Sequence, residues 1–154
     1  LATYPRVPWI FIDRDPLEVL VSNFRKPTAP LRWFQSRPEL ASKVANISQS
    51  KLNSYGPERF LAACIDRYER TYKTCQDQFS GGMAISYPYS PETVTDQVVK
   101  HFGLSLNEIE KKKLVSRSQT DAKIPSRGKF VADSYKKHEN ATDLIRAAVR
   151  DRWG

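Results

Sequence analysis

The stretch Trp9 to Arg25, WIFIDRDPLEVLVSNFR, constrains the fold more than any other part of the chain. Trp9, Ile10, Phe11 and Ile12 make a short continuous apolar run, rich in aromatic and β-branched residues. Such a run predicts a strand covered on both faces. Asp15 can cap a helix, and Pro16 fits the first helical position, where its missing N–H costs nothing. Leu17, Leu20, Val21 and Phe24 then recur at helical spacing, so one face of that helix is core. Arg14 falls at the carboxyl end of the strand, where open α/β sheets bind ligands. Ser22 lies off the apolar stripe, in the second turn. A guanidinium and a hydroxyl set this way can hold one phosphate between them. A generic strand–helix unit with an incidental serine would carry the same pattern.

The order Arg14-Asp15-Pro16-Leu17-Glu18-Val19-Leu20-Val21-Ser22 resembles a signature of the sulfotransferase family. That signature is Arg, Asp or Asn, Pro, an acidic residue two further on, Val, and Ser eight residues after the Arg. Tyr4-Pro5 before the strand looks like the family's lead-in. The resemblance implies a three-layer α/β/α fold with a parallel sheet, related to the P-loop NTPases, helix-rich and only partly contained in this chain. It also implies that Arg14 and Ser22 grip the 3′-phosphate of the sulfate donor, 3′-phosphoadenosine 5′-phosphosulfate (PAPS).

The 154 residues suffice for one domain with a core, and we read residues 1–154 as a single domain. No apolar run is long enough to span a bilayer. The first residues have neither the basic start nor the apolar core of a signal peptide. The sequence opens without Met, almost directly on a core strand, so the expectation is the C-terminal part of a larger domain. Cys64 and Cys75 sit eleven apart on one predicted helix, about 16 Å of rise, too far for a bridge. Reduced cysteines favour a reducing compartment and make the cytoplasm the expected location.

The net charge is +8, and Lys111 to Lys137 holds nine Lys or Arg against two Asp, a surplus of +7. Such a field concentrates anionic ligands. Nucleic acid, an acidic membrane face and a phosphorylated cofactor are all compatible with it, and the resemblance implies the phosphorylated cofactor rather than nucleic acid.

Along the chain, Lys26 to Pro30 reads as a turn. Leu31, Trp33 and Phe34 form an apolar knot that either packs on the core or lines an acceptor pocket. Pro38 opens a helix to about Ala45, and Asn46 to Gly56 reads as a loop with room for a helical turn. Pro57 to Phe79 is the clearest helix, with Leu61, Cys64, Ile65, Tyr68, Tyr72, Cys75 and Phe79 on its core stripe. Arg67, Glu69, Arg70 and Lys73 fall on its solvent face. Met83 to Tyr87 is a second strand. A helix from Pro91 to Phe102 is expected to bury Val94, Val98, Val99 and Phe102, with Gly103 just past its end. Ser105 with Glu108 has the form of a capping box for the next helix. Asn140 or Thr142 starts the last helix, with Leu144, Ile145, Ala148, Val149 and Trp153 on one side. Tyr87 and the Phe102-Gly103 pair resemble structural landmarks of the same family.

A second anion-binding candidate is the loop Arg127-Gly128-Lys129. Gly128 allows close backbone approach and the two cations supply charge. It resembles the late basic loop of sulfotransferases, which also holds the 3′-phosphate, with Arg and Gly in a changed order. His101 and His138 have no Cys or His partner at zinc spacing, so no metal is expected. His101, at a helix end, is explained by the helix dipole. The P-loop-like segment that holds the 5′-phosphosulfate in that family has no counterpart here, and the catalytic residue is unassigned. By resemblance, both should precede Leu1. The implied reaction moves a sulfuryl group from PAPS to an acceptor hydroxyl or amine. Two rivals stay open: a P-loop kinase-type phosphotransferase, and a non-catalytic basic module that binds nucleic acid or another polyanion through residues 111–137.

Overall fold

In a computed structural model, residues 7–26, 28–120 and 132–154 are described. They form a helix-rich α/β arrangement with a two-stranded parallel sheet. The chain divides into two compact units, residues 1–13 with 76–133, and residues 14–75 with 134–154.

The first unit holds the sheet. Strand β1 (Trp9–Asp13) pairs in parallel with β2 (Gly82–Ser86), Trp9 opposite Gly82 and Asp13 opposite Ser86. Parallel neighbours need a long crossover, and the chain between the two strands provides it. The pairing extends past both ends of β2, through Trp9 N–H to Gly81 O (2.8 Å) and Tyr87 N–H to Asp13 O (2.9 Å). The indole of Trp9 lies against Gly82, where an added Cβ would come within 2.4 Å of a ring carbon. The expectation of a strand buried on both faces is corrected here. Trp9, Ile10 and Phe11 are half-buried, and Ile12 is 60% exposed. A continuous apolar run reports what the strand could bury, and the described residues bring no cover to Ile12.

Helix α6 (Pro91–His101) and helix α7 (Glu108–Ser118) complete this unit. Ser90 caps α6. The ring N–H of His101 donates to Trp9 O at 3.1 Å and ties α6 to β1, a contact that the dipole argument did not foresee. Gly103 has φ +62°, with Gly103 N–H bonded to Lys100 O and Leu104 N–H to Val99 O. These two bonds are the Schellman ending, which asks for the left-handed conformation at that position. The expected burial of the α6 stripe is corrected: Val94, Val98 and Val99 are only half-buried, and Phe102 is 38% exposed. Asn107 caps α7 in place of Ser105, and its box partner is Glu110. Asn107 Oδ1 accepts from both Ile109 and Glu110 N–H, one more donor than a box requires.

The second unit is helical. It contains α1 (Pro16–Arg25), α2 (Ala29–Ser36), α3 (Pro38–Ala45), α4 (Gln49–Asn53), α5 (Pro57–Gln78, to Cys75 in this unit), α8 (Ser134–Glu139) and α9 (Asp143–Trp153). Two apolar clusters hold it. Leu17, Leu20 and Val21 of α1 meet Leu31, Leu61, Ala62, Ile145 and Ala148. Ala41, Ala45 and Leu52 meet Phe60, Ala63 and Cys64. The start of α5 lies in both clusters, so Phe60 to Cys64 are buried all round rather than as a stripe. Further along α5 the cover ends, and Tyr68 is 60% exposed. Trp33 and Phe34 pack on the second cluster, with Phe34 stacked on Phe60 at 4.9 Å, which favours core packing over an acceptor pocket.

The polar side of α5 is bonded rather than merely solvated. Arg67 donates to the carbonyls of Lys43 and Val44 at the end of α3, and Glu69 accepts from Trp153 Nε1 at 2.7 Å. Asp66 accepts from Arg152 and Arg70, both at 2.8 Å. Thr142 caps α9 through Ile145 N–H, and Leu144 is 66% exposed, outside the packed side.

Candidate functional site

The chemistry-bearing residues of the second unit converge at the N-terminus of α1. Asp15 is the N-cap: its Oδ1 accepts from Leu17 N–H at 2.8 Å. Pro16 opens the helix and offers no N–H to satisfy. Arg14 directly precedes the cap, and its Nε and Nη2 both donate to one oxygen of Glu18, Oε2, at 3.0 and 2.9 Å. The spacing is one helical turn, so the local fold alone brings the two together.

Glu18 is 4% exposed. A buried carboxylate is costly unless paired, and α8 supplies the remaining partners. Lys137, itself 5% exposed, places Nζ 3.9 Å from Glu18 Oε2. His138 Nε2 lies 3.1 Å from Asp15 Oδ2 and 4.0 Å from Glu18 Oε1. Burial by itself pushes the Glu18 carboxyl up. The Ser134 hydroxyl, the Arg14 guanidinium and the Lys137 ammonium outweigh it, and the carboxyl titrates below its ordinary value. Ser134 acts through proximity, since its buried hydroxyl falls short of a regular hydrogen bond.

The facing oxygens and nitrogen of Asp15, Glu18 and His138 lie within 4.8 Å of one another, close enough to share a metal ion. Glu18 already carries two cations, however, and a divalent ion would sit beside both. The charge arrangement suits an anion that competes for Arg14 better than it suits a metal.

Of the predicted site residues, Arg14 and Ser22 fall in this unit. Ser22 is half-buried on α1, one turn past Glu18, and its hydroxyl bonds to no described group. Arg14, Glu18 and Ser22 thus follow one another at four-residue intervals, with Glu18 holding the guanidinium. Arg127, Gly128 and Lys129 lie outside the described residues. Lys137, His138 and Glu18 were not singled out as site residues from the sequence. The Arg14–Glu18 spacing was a readable signal for the pair, whereas nothing local in the sequence links Lys137 to Glu18.

Comparison with protein-family models, with curated proteins and with solved structures finds no match. Among the described residues, no helix is long and apolar enough to cross a membrane.

Proposed function

We propose that this chain supplies the 3′-phosphate-binding part of a PAPS-dependent sulfotransferase, acting on an acceptor hydroxyl or amine. The observation that carries the reading is Arg14. It stands in the turn before α1, its guanidinium is already oriented by Glu18, and Ser22 follows on α1 with a hydroxyl that bonds to no described group. The residue order around it is the one that resembles the sulfotransferase signature. The parallel pairing of β1 with β2 is compatible with a larger three-layer sheet, and the exposed Ile12 fits a strand that receives further cover in the intact domain. The cytoplasm is our assignment of location, in keeping with the two free cysteines.

The donor set fits a phosphate monoester. Such a group carries about −1.5 to −2 charges near neutral pH, against one on Glu18, so it competes for the Arg14 fork. Lys137 stays beside Glu18 and keeps that carboxylate neutralised when Arg14 turns outward. Ser22 donates its hydroxyl proton to a second phosphate oxygen. In the sulfotransferase family a late basic loop also holds the 3′-phosphate, and Arg127, Gly128 and Lys129, which lie outside the described residues, are what resembles it in this sequence. When bound, PAPS supplies the sulfuryl group and a good leaving phosphate. This chain's residues orient the nucleotide, and orientation is itself a large contribution to rate. The base that takes the acceptor proton belongs to the part of the domain that precedes this segment in the family.

Calorimetric titration of 3′-phosphoadenosine 5′-phosphate against AMP tests the reading. The expected result is a clear preference for the 3′-phosphorylated ligand, with Arg14→Ala raising its dissociation constant about tenfold or more, as loss of a charged hydrogen bond implies. Equal affinity for the two nucleotides, in this chain and in a longer one carrying the upstream loop, overturns it.

A further inference from the structure

A second anion site, separate from Arg14, is assigned by the groove between α4, α5 and α9. The groove encloses about 470 Å³ and is lined by Lys51, Tyr55, Arg59, Arg70, Asp151 and Arg152, with Ala148 beside them. Four cations thus face one carboxylate in the lining. Their hydrogen-bonding capacity is only partly used by the described residues. Arg152 is committed, with Nη1 on Asp66 and Nη2 on the Tyr55 hydroxyl. Arg59 gives Nη2 to Asp151 at 3.1 Å and has no other described partner. Arg70 gives only Nε to Asp66, which leaves its two terminal nitrogens unengaged by described residues. Lys51 has no ion pair with a described residue, and its ammonium stands 6.0 Å over the Tyr55 ring.

The geometry points to one ligand class. Arg59 and Arg70 are eleven residues apart on α5, close to three whole turns, so they share a side of the helix at a separation of about 16 Å along its axis. That spacing suits a ligand that carries more than one charged group. A ligand with several charged esters meets that condition, and the half-buried Tyr55 ring offers apolar contact for its scaffold. We propose that this groove binds a small polyanion with two or more sulfate or phosphate esters on a sugar or cyclitol ring. The groove belongs wholly to the second unit and involves none of the residues assigned to the nucleotide, so the proposal stands whether or not the sulfotransferase reading does.

The test titrates sucrose octasulfate and, separately, inositol hexakisphosphate into the full chain at physiological salt. One saturable site is expected for at least one probe. The double variant Lys51→Gln with Arg70→Gln should weaken it about tenfold or more, the loss expected on removing charged hydrogen bonds. Its circular dichroism should match the parent, because both side chains are exposed. The control Lys112→Gln with Lys113→Gln removes the same charge from exposed positions of α7 and should leave the affinity unchanged. No saturable binding of either probe, or an equal loss in the two double variants, overturns the proposal, the latter because the attraction would then be the general field of a basic protein.

Discussion

Arg14 places two nitrogens on a single oxygen of Glu18, at 3.0 and 2.9 Å, and so fixes its guanidinium beside the N-terminus of α1. Lys137 approaches the same oxygen at 3.9 Å. A residue that a helical spacing would dismiss as a surface pair partner is instead the buried centre of the cluster, shared by α1 and α8.

Glu18→Gln should therefore destabilise the fold. Removing one partner of a buried ion pair costs about 3–5 kcal/mol. Arg14 remains 28% exposed and keeps much of its hydration, which lowers the figure. The buried Lys137 does not have that relief. We expect a loss of about 2–3 kcal/mol, read as a shift of the urea midpoint at neutral pH. A midpoint unchanged by the substitution would remove Glu18 from the role of hub.

The same carboxylate makes stability depend on pH. Its folded-state value lies below the ordinary 4.5, so its ionised form is favoured by folding. The contribution is fully present above the unfolded value and is lost as the pH falls through the folded one. Acidification from pH 6 to pH 3 should narrow the stability gap between the parent chain and Glu18→Gln, starting below about pH 4.5. Urea midpoints across that series would show it. A gap that widens on acidification would contradict the assigned direction.

Much of the local structure was legible in the sequence because caps and prolines act within one turn. Asp15 with Pro16, Pro38, Pro57, Thr142 and Gly103 all mark ends where the sequence puts them. The α2 helix escapes the sequence reading, in which a turn runs to Pro30 and Leu31, Trp33 and Phe34 form only an apolar knot; Pro30 reads as a breaker although the first turn of a helix accepts it. Periodicity showed which residues share a face, not whether anything covers that face. Tyr68, Phe102 and Leu144 keep helical spacing and stay exposed. At the site, the Arg14–Glu18 contact follows from spacing. The arrival of Lys137 and His138 depends on how α8 packs on α1, which no local pattern encodes.

Gly82→Ala should strain the sheet. A Cβ at this position would overlap the indole of Trp9, its direct partner in the parallel register. The ring is half-buried and must rotate or move out. Overpacking of this kind costs about 1–3 kcal/mol. Thermal unfolding should report it, and Trp9→Ala in the same background should recover part of the loss, since the clash then has no second party.

Cys64 and Cys75 should differ in reactivity. Cys64 is 1% exposed, and burial pushes its thiol up to about 12, although Arg67 and Arg152 pull the other way. Only the thiolate reacts, so Cys64 should resist iodoacetamide at pH 8 in the folded chain. Cys75 is half-buried and should be alkylated first. Mass spectrometry of peptides after a short exposure distinguishes the two, and denaturant should equalise them. Prompt labelling of Cys64 without denaturant would mean that the second apolar cluster opens readily.

Asp66 joins α5 to α9, and its two bonds should prove unequal. Its side chain is 13% exposed, and Arg152, which donates to it at 2.8 Å, is 22% exposed. Arg70 donates at the same distance but is 76% exposed. Solvent screens the second pair far more than the first, and exposed pairs on one helix contribute a few tenths of a kcal/mol. Arg70→Ala should therefore change stability by about 0.5 kcal/mol or less. Asp66→Ala should cost about 2 kcal/mol, because it also leaves Arg152 without its carboxylate. A double-mutant cycle between Asp66 and Arg152 should show most of that loss as coupling, and one between Asp66 and Arg70 very little. Equal couplings would mean that burial does not set the strength of these contacts.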